Sequence, residues 1–277
     1  MTDMRPPATD DKAGKDVWDA LWEHFDLPDP IDPHTESLGN LFNRRMHLLF
    51  QRIFAGSTTQ GKSLLEVGCG RSAWLPYFHT EFGFSITGID YSDTGCSQER
   101  HILANSGVPG DIVCADVFSP PSRLLESQDV VWSLGVIEHF EETAECVKAC
   151  AALLKPGGTI ITLIPNLTGL PGALQRVLDR SIYDLHVPLR AEELQRAHKA
   201  AGLSPVECRY FLSSGFGVLR AGAGDDLTPG QRHKRRAIRL LEGASMSLWW
   251  LENRTRPLPS RRILAPFIYC VATKAPA

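Results

Sequence analysis

Between Ser63 and Pro165 short apolar runs alternate with stretches of helical periodicity, and this alternation restricts the fold more than any other feature of the chain. Strands are expected at Ser63–Val67, Ser85–Asp90, Asp111–Ala115, Asp129–Ser133 and Thr159–Ile164. Helices are expected between them at Ala73–Phe82, Ser92–Asn105 and Glu142–Leu154, the last ended by a turn at Lys155-Pro156-Gly157-Gly158. Apolar strands with helices between them predict a parallel sheet covered on both faces. With 277 residues, 43% of them hydrophobic, the chain can bury a substantial core. The expected class is α/β: a doubly wound, Rossmann-like, mostly parallel sheet.

The flanks read differently. Lys15–Phe25 places Val17, Trp18, Leu21, Trp22 and Phe25 on one helical face, and Pro28 to Pro33 breaks that helix. A second helix is expected to open at Ser37 and to carry Leu38, Leu41, Phe42, Leu48, Leu49 and Ile53. Preceding the first strand, the pair forms an N-terminal helical lid over the ligand edge, behind a frayed tail from Met1 to Asp16. Beyond Pro165 the expectation is a short helix or loop at Gly169–Asp179, a helix at Arg190–Ala201 and a strand at Val206–Leu212. Gly215 to Pro259 holds a basic helix and an aromatic run ending at Trp249-Trp250, and Ile263–Thr273 is an antiparallel last strand. The division is 1–60 tail and lid, 61–212 core, 213–262 helical insertion or cap, and 263–277 final strand and tail.

Composition removes some classes. A net charge of −3 gives no global pull toward nucleic acid or membrane, and no apolar run approaches the roughly 20 residues that span a bilayer. Seven cysteines without a CxxC pair suit a reduced, cytoplasmic protein. Cys146 and Cys150 read as small buried hydrophobes rather than metal ligands, and no metal is expected. The run Arg232-His233-Lys234-Arg235-Arg236 with Arg239 reads as a solvated helix face, so nucleic acid is not the expected partner. A monomer or homodimer is expected.

The chemistry concentrates at strand ends, where ligands of open α/β sheets collect. Leu64-Leu65-Glu66-Val67-Gly68-Cys69-Gly70-Arg71-Ser72 turns a buried strand into a helix with bare backbone in the turn. The second strand ends at Asp90, placed to accept hydrogen bonds from ribose hydroxyls. The third ends at Asp116-Val117, where an acid and a backbone amide can read an adenine edge. The fourth ends at Ser133-Leu134-Gly135, beneath the reactive group. A nicotinamide dinucleotide is disfavoured: the last glycine of G-x-G-x-x-G falls on Ala73, and Glu66 would repel a pyrophosphate but suit a cationic amine.

Together with Gly88-Ile89-Asp90, Ala115-Asp116-Val117, Leu134-Gly135-Val136-Ile137-Glu138-His139 and Leu154-Lys155-Pro156-Gly157-Gly158, this stretch resembles the class I S-adenosylmethionine-dependent methyltransferases. The resemblance spans roughly Ser63 to Pro165 and fades outside it. It implies S-adenosylmethionine as cofactor, with Glu66 near the methionine amino group and Gly68, Cys69 and Gly70 lining the turn by backbone. It further implies Asp90 on the ribose with Tyr91 packed nearby, and Asp116 and Val117 facing the adenine. One departure stands at position 72, where a third glycine is common and this chain has Ser72.

Methyl transfer asks for alignment, exclusion of water and, where the acceptor carries one, removal of a proton. His139 and His186 are the candidate bases, with His186 and Tyr183 on the expected substrate side; a helix-start role for His139 is the competing reading. Arg44, with His24 and His47 on the N-terminal helices, is a candidate for the methionine carboxylate. Trp249 and Trp250 floor an acceptor pocket or fill a core. The expected activity is methylation of oxygen or nitrogen on a small-molecule metabolite. The alternatives are a macromolecular acceptor (RNA or protein) and a non-catalytic protein that keeps the fold. No Asn/Asp-Pro-Pro-Tyr element follows the fourth strand, which argues against the amide- and adenine-methylating branch.

Overall fold

The computed structural model describes residues 11–23, 26–221 and 228–277. Seven strands form one sheet: β1 (Ser63–Val67), β2 (Ser85–Asp90), β3 (Gly110–Cys114), β4 (Gln128–Leu134), β5 (Leu154–Pro165), β6 (Leu203–Phe211) and β7 (Phe267–Lys274). Their order is β3-β2-β1-β4-β5-β7-β6. The first five are parallel, and β7 runs antiparallel to both β5 and β6. The helices are α1 (Lys15–Glu23), α2 (Leu41–Ile53), α3 (Trp74–Phe82), α4 (Asp93–Ser106), α5 (Thr143–Ala152), α6 (Leu170–Leu178), α7 (Arg180–Asp184), α8 (Ala191–Ala200) and α9 (Pro229–Arg254). Short 3-10 turns stand at Ser122–Leu124 and Ile137–His139.

Strand alternation divides the core into two layers. Leu65, Val67 and Val131 pack with Val147 and Cys150 of α5 and Leu194 of α8 on one face. Leu64, Val130 and Trp132 pack with Phe50 of α2 and Trp74 and Phe78 of α3 on the other. Phe50 anchors that second layer, its ring centroid 4.8 Å from Phe78 and 5.2 Å from Trp132. Burying one such aromatic contributes about 1.5–3 kcal/mol relative to leaving it exposed. Cys146 and Cys150 are buried in the first layer.

Several expectations need correcting. Lys155-Pro156-Gly157-Gly158 lies inside β5: α5 stops at Ala152, Leu154 already pairs with Gln128, and the irregular register between Gln128 and Val130 absorbs the Pro-Gly-Gly segment. Of the two helices before β1, α1 lies over the strand ends, and α2 reaches them only with Phe42 and Asn43 of its first turn. α2 starts at Leu41, after a turn through Ser37 to Asn40, and sinks Met46, Leu49 and Phe50 into the core. The tail is anchored from Asp11 onward, where a bridge pairs Asp11 with Phe140 and Lys12 N–H donates to His139 O at 3.0 Å. The last strand starts four residues later than Ile263, which is exposed. Phe25 and His24 lie outside the described residues.

Candidate active site

A cavity of about 670 Å³ opens where β1, β2, β3 and β4 end. Of the residues singled out in the sequence, Glu66, Gly68, Gly70, Asp90, Tyr91, Asp116, Val117, Leu134 and His139 line it. Cys69 and Ser133 do not. Cys69 is buried with its Sγ against Gly88, where an added Cβ would come within 2.5 Å of it. The Ser133 side chain is sealed inside the sheet. It does not lie beneath a ligand as its strand-end position suggests, because strand alternation turns it away from the hollow.

The turn after β1 is built for close approach. Gly68 has φ +72°, and a Cβ there would lie 2.3 Å from Val136 Cγ2. At Gly70 a Cβ would meet Asp90 Oδ2 at 2.8 Å and Trp22 Nε1 at 3.1 Å. Asp90 holds this turn to the start of α4: Oδ2 accepts from Gly70 N–H and Oδ1 from Ser92 N–H, both at 2.8 Å. Ser92 Oγ then caps α4 by accepting from Gly95 N–H at 2.8 Å. Burial raises the Asp90 carboxyl, and these two donors oppose the rise. Glu66 is buried, with Oε1 accepting from Ser72 Oγ at 2.9 Å and Oε2 without a partner. Desolvation, then the neighbouring Glu99, pushes the Glu66 carboxyl well above its ordinary range. An orphaned, buried acid beside a bare-backbone cradle fits a cationic amine. At the far side Asp116 accepts from Phe118 N–H at 2.9 Å.

Sequence reasoning expected a helical lid over this edge but did not single out its indoles as lining residues. Trp18 and Trp22 of α1 line the cavity, stacked at 5.7 Å, and Trp18 meets the His139 ring edge-on at 4.9 Å. Asp11 Oδ2 accepts from Trp18 Nε1 at 2.9 Å and also from Tyr91 OH, joining the roof to the end of β2. The signal was present as the indole pair four residues apart on an apolar face, but a helix face alone does not say what it covers.

A second cavity, of about 550 Å³, shares Phe42, Leu134, Gly135 and His139 with the first. Glu138, His186, Arg220, Met246 and Trp249 also line it. The His139 and His186 rings stand 4.5 Å apart. His139 Nδ1 bonds Leu185 O at 2.9 Å and His186 Nδ1 bonds Ile182 O at 2.7 Å. A carbonyl only accepts, so each Nδ1 carries the hydrogen and each Nε2 is left as an acceptor. Burial lowers both imidazoles, His139 to about 4, so both are neutral at pH 7. Glu138 is buried and pushed up to about 8 by desolvation. Glu138, His139 and His186 bring ligand atoms within 4.8 Å of one another, a donor set that can hold a divalent cation. His34, His47 and Glu81 form a similar group at another place in the fold.

Of the other candidates, Trp249 lines the second cavity, while Tyr183, Arg44, His47 and Trp250 line neither. In place of Tyr183, α7 presents Ile182 to the second cavity. Arg44 pairs with Glu36 at 3.6 Å, and His47 is buried with Nδ1 2.9 Å from Tyr77 OH, so neither reaches a ligand in the first cavity. Trp249 donates to Ser214 O at 2.8 Å, while Trp250 is half exposed beneath Arg254, whose guanidinium carbon lies 3.6 Å from its ring centroid. Within the basic run of α9, Lys234 and Arg235 donate to the carbonyls of Leu178 and Ala221.

Residues 65–162 match a family model described as a methyltransferase domain. A ubiquinone biosynthesis O-methyltransferase of Bordetella bronchiseptica is 33% identical over 163 residues, 56% of this chain and 67% of that one. The enzyme of the same name from Bordetella avium is 29% identical over 73% of this chain and 84% of its own. Among solved structures, the [4+2]-cyclase SpnF has a TM-score of 0.61 at 16% identity, covering 98% of both chains. A putative sarcosine dimethylglycine methyltransferase from Galdieria sulphuraria has a TM-score of 0.59 at 15% identity, covering 96% of this chain and 99% of that one.

Proposed function

Because the chain belongs to the class I S-adenosylmethionine-dependent methyltransferases, we propose that it methylates a hydroxyl oxygen of a small molecule held in the second cavity. The observation that carries this reading is the wall common to the two hollows, where His139 stands with His186 4.5 Å away on the second-cavity side, each ring left with Nε2 as its acceptor. The name O-methyltransferase borne by the relatives agrees with it.

S-adenosylmethionine supplies an electrophilic methyl group on a cationic sulfur, and the departing thioether needs no acid. The chain's residues then bind, align and take a proton. Glu66 receives the ammonium group, with Gly68 and Gly70 giving it backbone room. Asp90 accepts from the ribose while holding the turn, Tyr91 packs beside it, and Asp116 and Val117 meet the adenine. Leu134 and Gly135 floor the crossing between the hollows. Trp18 and Trp22 roof the donor side and exclude water. His139 and His186 orient the acceptor hydroxyl, and one Nε2 takes its proton as the oxygen attacks. Alignment of this kind can supply about 7–11 kcal/mol of the barrier in favourable cases.

Seven unpaired cysteines, with Cys208 directly opposite Cys270 across β6 and β7, fit a reducing cytoplasm. Among the described residues no helix is long and apolar enough to cross a membrane. The test is incubation with methyl-labelled cofactor and a metabolite extract. Label in one low-molecular-weight product, stable to mild base as an ether is, supports the reading. Label confined to RNA or protein would replace it with a macromolecular acceptor.

A further inference from the structure

Ser72, standing where the family commonly has glycine, reaches past the cavity wall to a second acid. Its hydroxyl donates to Glu66 Oε1 at 2.9 Å and accepts from Trp74 N–H at 3.0 Å. Its N–H donates to Glu99 Oε2 at 2.7 Å. Glu99, on α4, is fully buried and does not line the cavity. Its Oε1, like Oε2 of Glu66, has no hydrogen-bond partner. Two carboxylates therefore flank one serine, each with a bare oxygen.

The surroundings do not neutralise them. Asp90 faces both from the end of β2, and Asp19 of α1 acts on Asp90. Cys69 from the turn and Cys96 from α4 are buried beside them, and Trp132 of β4 faces Glu66. The charges that act on Glu66 and Glu99 are those of neighbouring acids, Asp90 on both and Glu99 on Glu66. Two buried carboxylates that act on each other do not both ionise without a compensating cation. Desolvation pushes Glu99 up to about 8 and Glu66 well upward.

We propose that Glu99 is a positioning residue of the cofactor's amino-group subsite: in the free protein it and Glu66, on either side of Ser72, hold one proton between them, and the ammonium charge, once bound, compensates the second carboxylate so that this proton leaves. The inference rests on the reading of Glu66 as the ammonium partner. The carboxylic O–H bond breaks, the proton goes to solvent and the ammonium stays charged. Cofactor affinity then rises with pH until the pair is fully ionised before binding. A Glu99 that merely caps the start of α3 through Ser72 N–H would leave the proton count untouched.

The experiment is calorimetric titration of the full chain with S-adenosylhomocysteine, which carries the same ammonium group, in two buffers of different ionisation enthalpy. Wild type should release close to one proton at pH 7. Glu99→Gln keeps an acceptor for Ser72 N–H but removes a charge; the release should fall by half or more. The pH of half-maximal affinity should then move down by roughly one unit. No proton release by wild type, or an unchanged release in Glu99→Gln, overturns the proposal. If Glu66→Gln leaves both affinity and proton count unchanged, the reading of Glu66 itself fails, and this inference with it. Should Glu99→Gln not fold, infrared difference spectra of wild type decide: a protonated-carboxyl C=O band must disappear on binding, and its persistence refutes the idea.

Discussion

Replacing Gly68 by alanine tests the cradle directly, because one methyl group meets two separate obstacles. The first is conformational: φ of +72° costs an L residue about 1–2 kcal/mol. The second is steric, since the new Cβ would stand 2.3 Å from Val136 Cγ2, and overpacking of this kind costs about 1–3 kcal/mol. Together they predict a loss of roughly 2–5 kcal/mol, a fall in Tm of about 5–15 °C for a chain of this length. Chemical denaturation with and without S-adenosylhomocysteine measures both stability and binding. Trimming the obstructing methyls with Val136→Ala should return the steric part and leave the conformational part, so the double-mutant cycle should show favourable coupling of about 1–3 kcal/mol. A Gly68→Ala protein of wild-type stability, or a cycle without coupling, would refute this account of the turn.

Three further outcomes follow from the geometry. Asp90→Ala should weaken S-adenosylhomocysteine binding at least tenfold (about 1.4 kcal/mol) with the far-ultraviolet circular dichroism preserved, and unchanged affinity by calorimetry would remove Asp90 from the site. His186→Ala should lower kcat more than tenfold while the cofactor Kd stays within about twofold; full turnover would show that the ring is structural. His139 and His198 are buried neutral and both fall to about 4, below the ordinary imidazole value near 6.5. Between those limits the unfolded chain binds more protons, so stability present above pH 6.5 should drain away as pH falls toward 4. His198→Gln should flatten that slope in urea titrations; an identical slope would show that this histidine does not carry the effect.

The parallel part of the sheet was legible because its strands are apolar on both faces and punctuated by glycine, proline or a capping serine. Ser63–Val67 and Ser85–Asp90 coincide with β1 and β2 to the residue. The Lys155–Gly158 segment was misread because the same Pro-Gly-Gly chemistry serves a helix stop and an irregular strand entry. Strand-end position located most of the hollow, yet it cannot tell Leu134, which faces the hollow, from Ser133, which does not. A helical lid was expected, but what its indoles touch was not legible, because those contacts join residues far apart in sequence, such as Asp11 with Tyr91 and Trp18 with His139. Glu99 escaped for the same reason: nothing in a helix sequence marks which acid a distant turn will touch.

The partition formed by Phe42, Leu134, Gly135 and His139 has a practical outcome for redesign. Any change made there alters both cavities at once, so a library aimed at new acceptors should leave those four untouched. The separable handles are Val218, Met246 and Trp249, which line the second cavity and not the first. Variation confined to them should alter which compound is decorated while the grip on the methyl donor persists.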